Sequence, residues 1–233
     1  MSKIVKMIPN AITAMNLVCG VLGVVAVLAY GSISYAFALM LCAAVFDFLD
    51  GLAARLLKAY SEIGKQLDSL SDLVSFGVLP AFMMFAITRY CHGPIKLAPF
   101  IFVVFAAFRL AKFNCDDRQH DSFLGLPVPA AAIIAGALCH VIAFYQIYLP
   151  VRLPWTMPLV ALVLGILMVS EIPMFAMKFG GGAKADKKTA FKRIAFLAVL
   201  VATAVATPLL GLAWSVIPLA GFSFYVLLNV AVR

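Results

Sequence analysis

Four aspartates, Asp47, Asp50, Asp68 and Asp72, sit within or beside apolar stretches that otherwise hold few charges. Asp47 and Asp50 are three residues apart and Asp68 and Asp72 four apart, and either spacing puts a pair on one face of a helix. A short turn between the two helices would bring the pairs together near one boundary. Carboxylates gathered in this way repel strongly without counterions. An all-oxygen site of this kind suits a hard divalent cation, Mg²⁺ or Mn²⁺. Such ions neutralise a diphosphate and act as Lewis acids for transfer at phosphorus.

The neighbouring residues fit that chemistry. Gly51 removes a side chain beside Asp50 and lets a substrate approach the helix backbone. Ala53 and Ala54 keep that surface low, and Arg55 offers a planar, many-donor partner for phosphate oxygens. Gly64, one turn before Asp68, clears space on the opposing helix. Solvated acids at helix ends are common, but two same-face pairs, each accompanied by a glycine, ask for more than that. His92, His120 and His140 share no ligand spacing. The five cysteines form no zinc-type cluster and read as small apolar packing residues.

The elements that must position these aspartates follow from composition. The chain is 65% apolar and only 12% charged over 233 residues, against about half apolar and roughly a quarter charged in a soluble domain. Several apolar runs exceed the ~18 residues that a bilayer span requires. The expectation is an all-α integral membrane protein of about eight transmembrane helices, at 11–30, 33–57, 66–90, 95–114, 128–149, 155–172, 191–210 and 213–231. No cleavable signal peptide is evident in the first ten residues. With the N-terminus inside, all but Arg89, Lys96 and Arg152 of the 18 basic residues fall on the cytoplasmic side, as lysine and arginine prefer. All 10 acidic residues fall there too. This places both termini and the active site on the cytoplasmic face of the cell membrane. The net charge of +8 lines membrane edges and does not gather on one soluble face. It therefore points to anionic lipid headgroups, above all along residues 178–193, and not to nucleic acid.

The pattern Asp47-x2-Asp50-Gly51-x2-Ala54-Arg55-x8-Gly64-x3-Asp68-x3-Asp72 resembles the signature of the CDP-alcohol phosphatidyltransferases, with no departure. The resemblance implies a six-helix family core plus a C-terminal pair. It divides the chain into a catalytic membrane domain at 1–180 and a basic loop with two helices at 181–233. It implies two divalent ions held by Asp47, Asp50, Asp68 and Asp72, with Asp72 also deprotonating the acceptor alcohol. CDP-diacylglycerol would be held by Gly51, Arg55 and Ser61 with Gly64. Asn10 and Thr13 belong to the segment from Pro9 to Asn16 that looks like the family's nucleotide-contacting stretch. Many members of the family are dimers, although no dimer motif stands out here.

The core motif does not select the acceptor. FRLAKFN (108–114), FLGLPVPA (123–130) and MVSEIPMFAMKF (168–179) resemble segments of the phosphatidylserine synthases within the family, with Lys112 in place of the usual arginine. That resemblance implies L-serine as acceptor. Arg109 and Lys112 would face its carboxylate and Asn114 would supply a neutral hydrogen bond. A lysine at 112 lacks the guanidinium fork for bidentate binding. Transfer to glycerol 3-phosphate is the alternative within the same chemistry. A divalent-cation transporter is the alternative outside it, though its acids would belong at the bilayer midplane on broken helices.

Overall fold

The computed structural model describes residues 3–89, 93–115, 123–147, 154–174 and 187–231. Eight apolar helical segments lie among them, the number expected. Five are long and apolar enough to cross a membrane: Met7–Tyr30, Ile33–Leu56, Glu62–Thr88, Pro94–Cys115 and Lys192–Leu209. Val128–Phe144, Thr156–Val169 and Val216–Val230 are shorter. The surface confirms the solvent. On the first helix Val21, Leu22, Val25 and Leu28 are all exposed, while Asn16 and Thr13 are buried, the reverse of a water-soluble arrangement. The chain is an integral membrane protein.

Helix α1 (Lys3–Tyr30) and helix α2 (Ile33–Leu56) form an antiparallel hairpin. Gly31 closes α1 at φ +62°, a conformation that glycine adopts without penalty. Ser32 then caps α2 by accepting from the Tyr35 amide at 3.3 Å. At its other end α2 stops where Lys58 takes φ +48°. Ser61 accepts from the Gly64 amide at 3.0 Å and so starts helix α3 (Glu62–Asp72). This tight turn lets α2 and α3 present their aspartates to each other.

The third span is not a uniform helix. A π-helical stretch, Leu73–Val78, separates α3 from α4 (Leu79–Thr88). The Leu79 amide reaches the Val74 carbonyl, five residues back. Pro80 explains the widened turn, since it cannot donate to the Phe76 carbonyl and its ring crowds that oxygen. Helix α1 sits close against this stretch. A Cβ on Gly20 would lie 2.9 Å from the Ser75 Cα, so only glycine permits the approach.

A 3₁₀ turn (Pro94–Phe100) leads into α5 (Ile101–Cys115). Helix α6 (Val128–Phe144) is buried almost all round and carries Ala130, Ala131, Ala132, Ala135 and Ala137. Small residues let neighbouring backbones approach closely inside a membrane bundle. Gly136 meets the Phe37 ring of α2, where a Cβ would be 3.0 Å from Cδ2.

Two helices end earlier than the apolar pattern predicts, and each has a local cause. Helix α6 stops at Phe144 because Gln146 adopts φ +50° and the Tyr145 hydroxyl accepts from the Ala213 amide at 2.9 Å. Helix α7 (Thr156–Val169) stops because Ser170 turns extended. The chain then forms strand β2 (Pro173–Met174), antiparallel to β1 (Phe123–Leu124). The Gly125 amide donates to Ile172 O and the Leu126 amide to Leu167 O, both at 2.9 Å. The segments at 123–130 and 168–174 are therefore partners, and Gly125, at φ +78°, makes the turn before α6.

Helix α8 (Lys187–Leu209) and helix α9 (Val216–Ala231) form the C-terminal pair. At the end of the bundle away from the aspartates, Trp214 stacks on Phe37 with centroids 5.0 Å apart. There His140 Nδ1 lies 2.8 Å from Ser215 Oγ. His92, His120, Cys91 and most of the basic stretch from Lys178 lie outside the described residues.

Candidate active site

Helix α1 packs against both α2 and α3, and the turn at 57–61 lets the aspartates of those two helices converge. Asp47, Asp50 and Asp68 each present a carboxylate oxygen within 4.8 Å of the others. Asp72, one turn deeper, lies within hydrogen-bond reach of Asp47. The four aspartates singled out by spacing thus form one group. Asp50 and Asp72 are buried, and Asp47 and Asp68 are half-buried. Asp50 Oδ2 is buried with no hydrogen-bond partner.

That orphaned oxygen tests whether the donor set fits a cation. An unpartnered buried carboxylate oxygen is costly, and three more carboxylates nearby raise the cost through repulsion. One protein cation, Arg109, lies within electrostatic reach of Asp72, and a single positive charge does not offset four carboxylates. Carboxylate oxygens alone are the donor set of Mg²⁺ or Mn²⁺. The cluster fits a divalent metal.

A cavity of 330 Å³ opens beside the aspartates. Asp50 and Asp68 form one side of it. Gly51 and Arg55 of α2, Ser61 and Gly64 of α3, and Asn10 and Thr13 of α1 complete the wall. These are the six residues that the sequence associates with the CDP-lipid. A Cβ on Gly51 would meet nothing within 4 Å, so the backbone faces open space there. The Arg55 Nε donates to the Gly51 carbonyl at 2.9 Å, which steadies the guanidinium at the rim. Gly64 has a different task. A Cβ there would lie 2.9 Å from both Asn10 Oδ1 and Ser61 Oγ. The Thr13 hydroxyl donates to the Pro9 carbonyl at 3.0 Å and lies beside Asp50.

The three residues associated with the acceptor part company. Arg109 is buried and lies within electrostatic reach of Asp72. Its guanidinium carbon sits 4.9 Å from the Phe113 ring centroid, a cation–π distance. Lys112 pairs with Glu171 at 3.5 Å, tying α5 to the loop after α7. Asn114 donates to Ser69 Oγ at 2.8 Å, and its carbonyl accepts from Lys65 at 3.2 Å. Arg109 is the one of the three that the fold brings to the aspartates.

Other residues join the site without having been singled out. Lys65, Tyr60 and Ala59 line the cavity. Lys65 was legible as a cation one turn from Asp68, but its sequence position also suits a plain membrane-edge anchor. Asn16, which ends the stretch likened to a nucleotide-contacting segment, instead donates to Asp72 and does not line the cavity. Tyr225 of α9, 2% exposed, lies within electrostatic reach of Arg109. Nothing near it in sequence points to the site.

Residues 6–167 match the family model of the CDP-alcohol phosphatidyltransferases. The chain is 34% identical over 167 residues to CDP-diacylglycerol–serine O-phosphatidyltransferase of Helicobacter pylori, covering 70% of each chain. It is 36% identical over 127 residues to the protein of the same name in Bacillus subtilis, covering 54% of this chain and 71% of that one. Likeness to the Mycobacterium bovis protein of that name extends over 221 residues at 31% identity, covering 91% of this chain and 74% of the relative.

Proposed function

The chain belongs to the CDP-alcohol phosphatidyltransferase family, and from that premise we propose that it transfers a phosphatidyl group from CDP-diacylglycerol to the hydroxyl of L-serine. The products are phosphatidylserine and CMP. The observation that carries this reading is the cavity that joins Asp50 and Asp68 to Gly51, Arg55, Ser61 and Gly64. It sets carboxylates beside an open stretch of backbone and a cation, which is what a diphosphate flanked by metal ions needs. The names of the relatives supply the acceptor.

Asp47, Asp50, Asp68 and Asp72 would hold two divalent ions, Mg²⁺ or Mn²⁺. When bound, such ions neutralise the diphosphate and stabilise charge on the departing CMP. The rest falls to the protein. Arg55 holds phosphate oxygens at the rim, and Asn10, Thr13 and Ser61 orient the nucleotide end. The serine hydroxyl oxygen forms a bond to the phosphorus of the phosphatidyl group as the bond to the CMP oxygen breaks. The hydroxyl proton passes to Asp72. Arg109 is a buried cation beside Asp72 and faces the serine carboxylate, with Lys112 and Asn114 further out.

The positive-inside pattern supports a site and both termini on the cytoplasmic side of the cell membrane. Residues 1–180 form the catalytic membrane domain, and 181–233 a basic loop with a helical pair. The test is CMP release by the purified protein with CDP-diacylglycerol, Mg²⁺ or Mn²⁺ and a single alcohol at a time. Serine-dependent release that EDTA abolishes is expected. Release with glycerol 3-phosphate and none with serine would replace the acceptor.

A further inference from the structure

Asn16 is fully buried on α1, and its Nδ2 donates to Asp72 Oδ1 at 3.1 Å. The direction of that bond follows from the partner, because a carboxylate only accepts. Asn16 Oδ1 is buried without a partner. A polar side chain held at that cost, where an apolar one of similar size would pack, needs a reason outside stability.

The position of the amide is tightly fixed. The Asn16 carbonyl accepts from the Ser75 hydroxyl at 3.0 Å, inside the π-helical stretch that begins just after Asp72. One turn on, Gly20 brings α1 against the Ser75 backbone with no room for a Cβ. Two contacts on the same short segment thus set where the amide lies relative to Asp72. Asn10 and Thr13 line the cavity, whereas Asn16, on the next turn of α1, is sealed from it. It is not available to touch a nucleotide.

We propose that Asn16 is a positioning residue, whose amide fixes the orientation of the Asp72 carboxylate so that one oxygen is held by α1 and the other is left to the site. The donor is neutral, so it orients the carboxylate without offsetting the charge that a metal ion and a proton both require. A lysine or arginine at position 16 would orient Asp72 equally well and would compete with the cation. Groups that hold a metal-binding side chain from behind typically contribute about 10–100-fold to metal affinity or to rate when removed.

The inference rests on the reading of Asp72 as ligand and base, and the experiment separates the two. Mn²⁺ binding is titrated by electron paramagnetic resonance on the detergent-solubilised protein, with N16L beside wild type and D72N. CMP release is measured on the same samples. N16L should bind Mn²⁺ roughly 10-fold more weakly and lose about 10–100-fold in kcat, with the KM for CDP-diacylglycerol within about threefold of wild type. Wild-type Mn²⁺ affinity and kcat in N16L overturn the inference. So does a raised KM at unchanged kcat, which would make Asn16 a nucleotide contact. If N16L does not fold, N16S serves in its place: it keeps a small polar group that cannot span the distance to Asp72, and wild-type behaviour in it overturns the inference equally. An active D72N with normal Mn²⁺ affinity would instead refute the role of Asp72 itself.

Discussion

Gly51 and Gly64 face one cavity from opposite helices, and alanine should affect them in different ways. At Gly51 an added Cβ meets nothing within 4 Å, while at Gly64 it falls 2.9 Å from two oxygens, Asn10 Oδ1 and Ser61 Oγ. Ordinary contact begins near 3.4 Å, so both oxygens must retreat by about half an ångström. Ser61 is the cap of α3, and disturbing a cap costs about 0.5–2 kcal/mol. Overpacking adds roughly 1–3 kcal/mol, and the better helix propensity of alanine returns about 1 kcal/mol. Gly64→Ala should therefore lower stability by a net ~0.5–4 kcal/mol and raise the KM for CDP-diacylglycerol. Gly51→Ala should leave stability unchanged or raise it by about 0.5–1 kcal/mol. Its methyl nevertheless enters the space assigned to the diphosphate. Crowding of ~1–3 kcal/mol there means a KM for CDP-diacylglycerol roughly 5–150-fold higher, at 1.4 kcal/mol per tenfold. The assay is CMP release in mixed micelles at saturating serine, with thermal unfolding run in parallel. A Gly51→Ala protein with wild-type KM would refute the assignment of that wall to the substrate. A Gly64→Ala protein more stable than wild type would refute the steric argument.

Four further outcomes follow from the geometry. Asp47→Asn and Asp68→Asn should each reduce CMP release by more than ~100-fold and weaken Mn²⁺ binding measured directly, because each removes a ligand from a group spanning 4.8 Å and ion and substrate are held together. Arg109→Gln should raise the serine KM more than the CDP-diacylglycerol KM, and equal effects on both would remove it from the acceptor site. Lys112→Met breaks a pair whose glutamate is 73% exposed, so unfolding should shift by less than ~1 kcal/mol; a serine KM raised severalfold would keep Lys112 as an acceptor contact. Gly125→Ala places a side chain at φ +78° and 2.7 Å from the Ser170 carbonyl oxygen. Left-handed backbone and overpacking together should cost about 2–5 kcal/mol, read as a lowered unfolding midpoint.

The aspartates were legible because their chemistry shows in sequence. Acids at helical spacing in an apolar run have few structural uses, and a short turn forces the two pairs together. The eight helices were legible for the same reason, since hydropathy reports what the bilayer demands. Helix ends were less so. Apolar residues continue past Phe144 and Val169, but Gln146 takes a left-handed backbone and residues 172–174 are engaged by β1 and the turn after it. Those are choices made by distant partners. The π-helical stretch was hidden likewise, because Pro80 reads simply as a helix residue until its effect on the preceding turn is seen. The partner of Asn16 and the part played by Tyr225 were hidden because single polar residues in a span become meaningful only when their neighbours across the bundle are known.

The four clustered aspartates and the cavity lie at one end of the bundle, while Trp214, His140 and Ser215 close the other. An enzyme built in this way would draw its lipid from a single leaflet and return its product to the same leaflet. Each turnover exchanges one headgroup for another in that monolayer, and the opposite monolayer receives nothing directly. The composition of the far leaflet then depends on how fast lipids cross the bilayer and not on how fast this protein works. One-sidedness of the membrane is thus set by where a hairpin of two helices happens to turn.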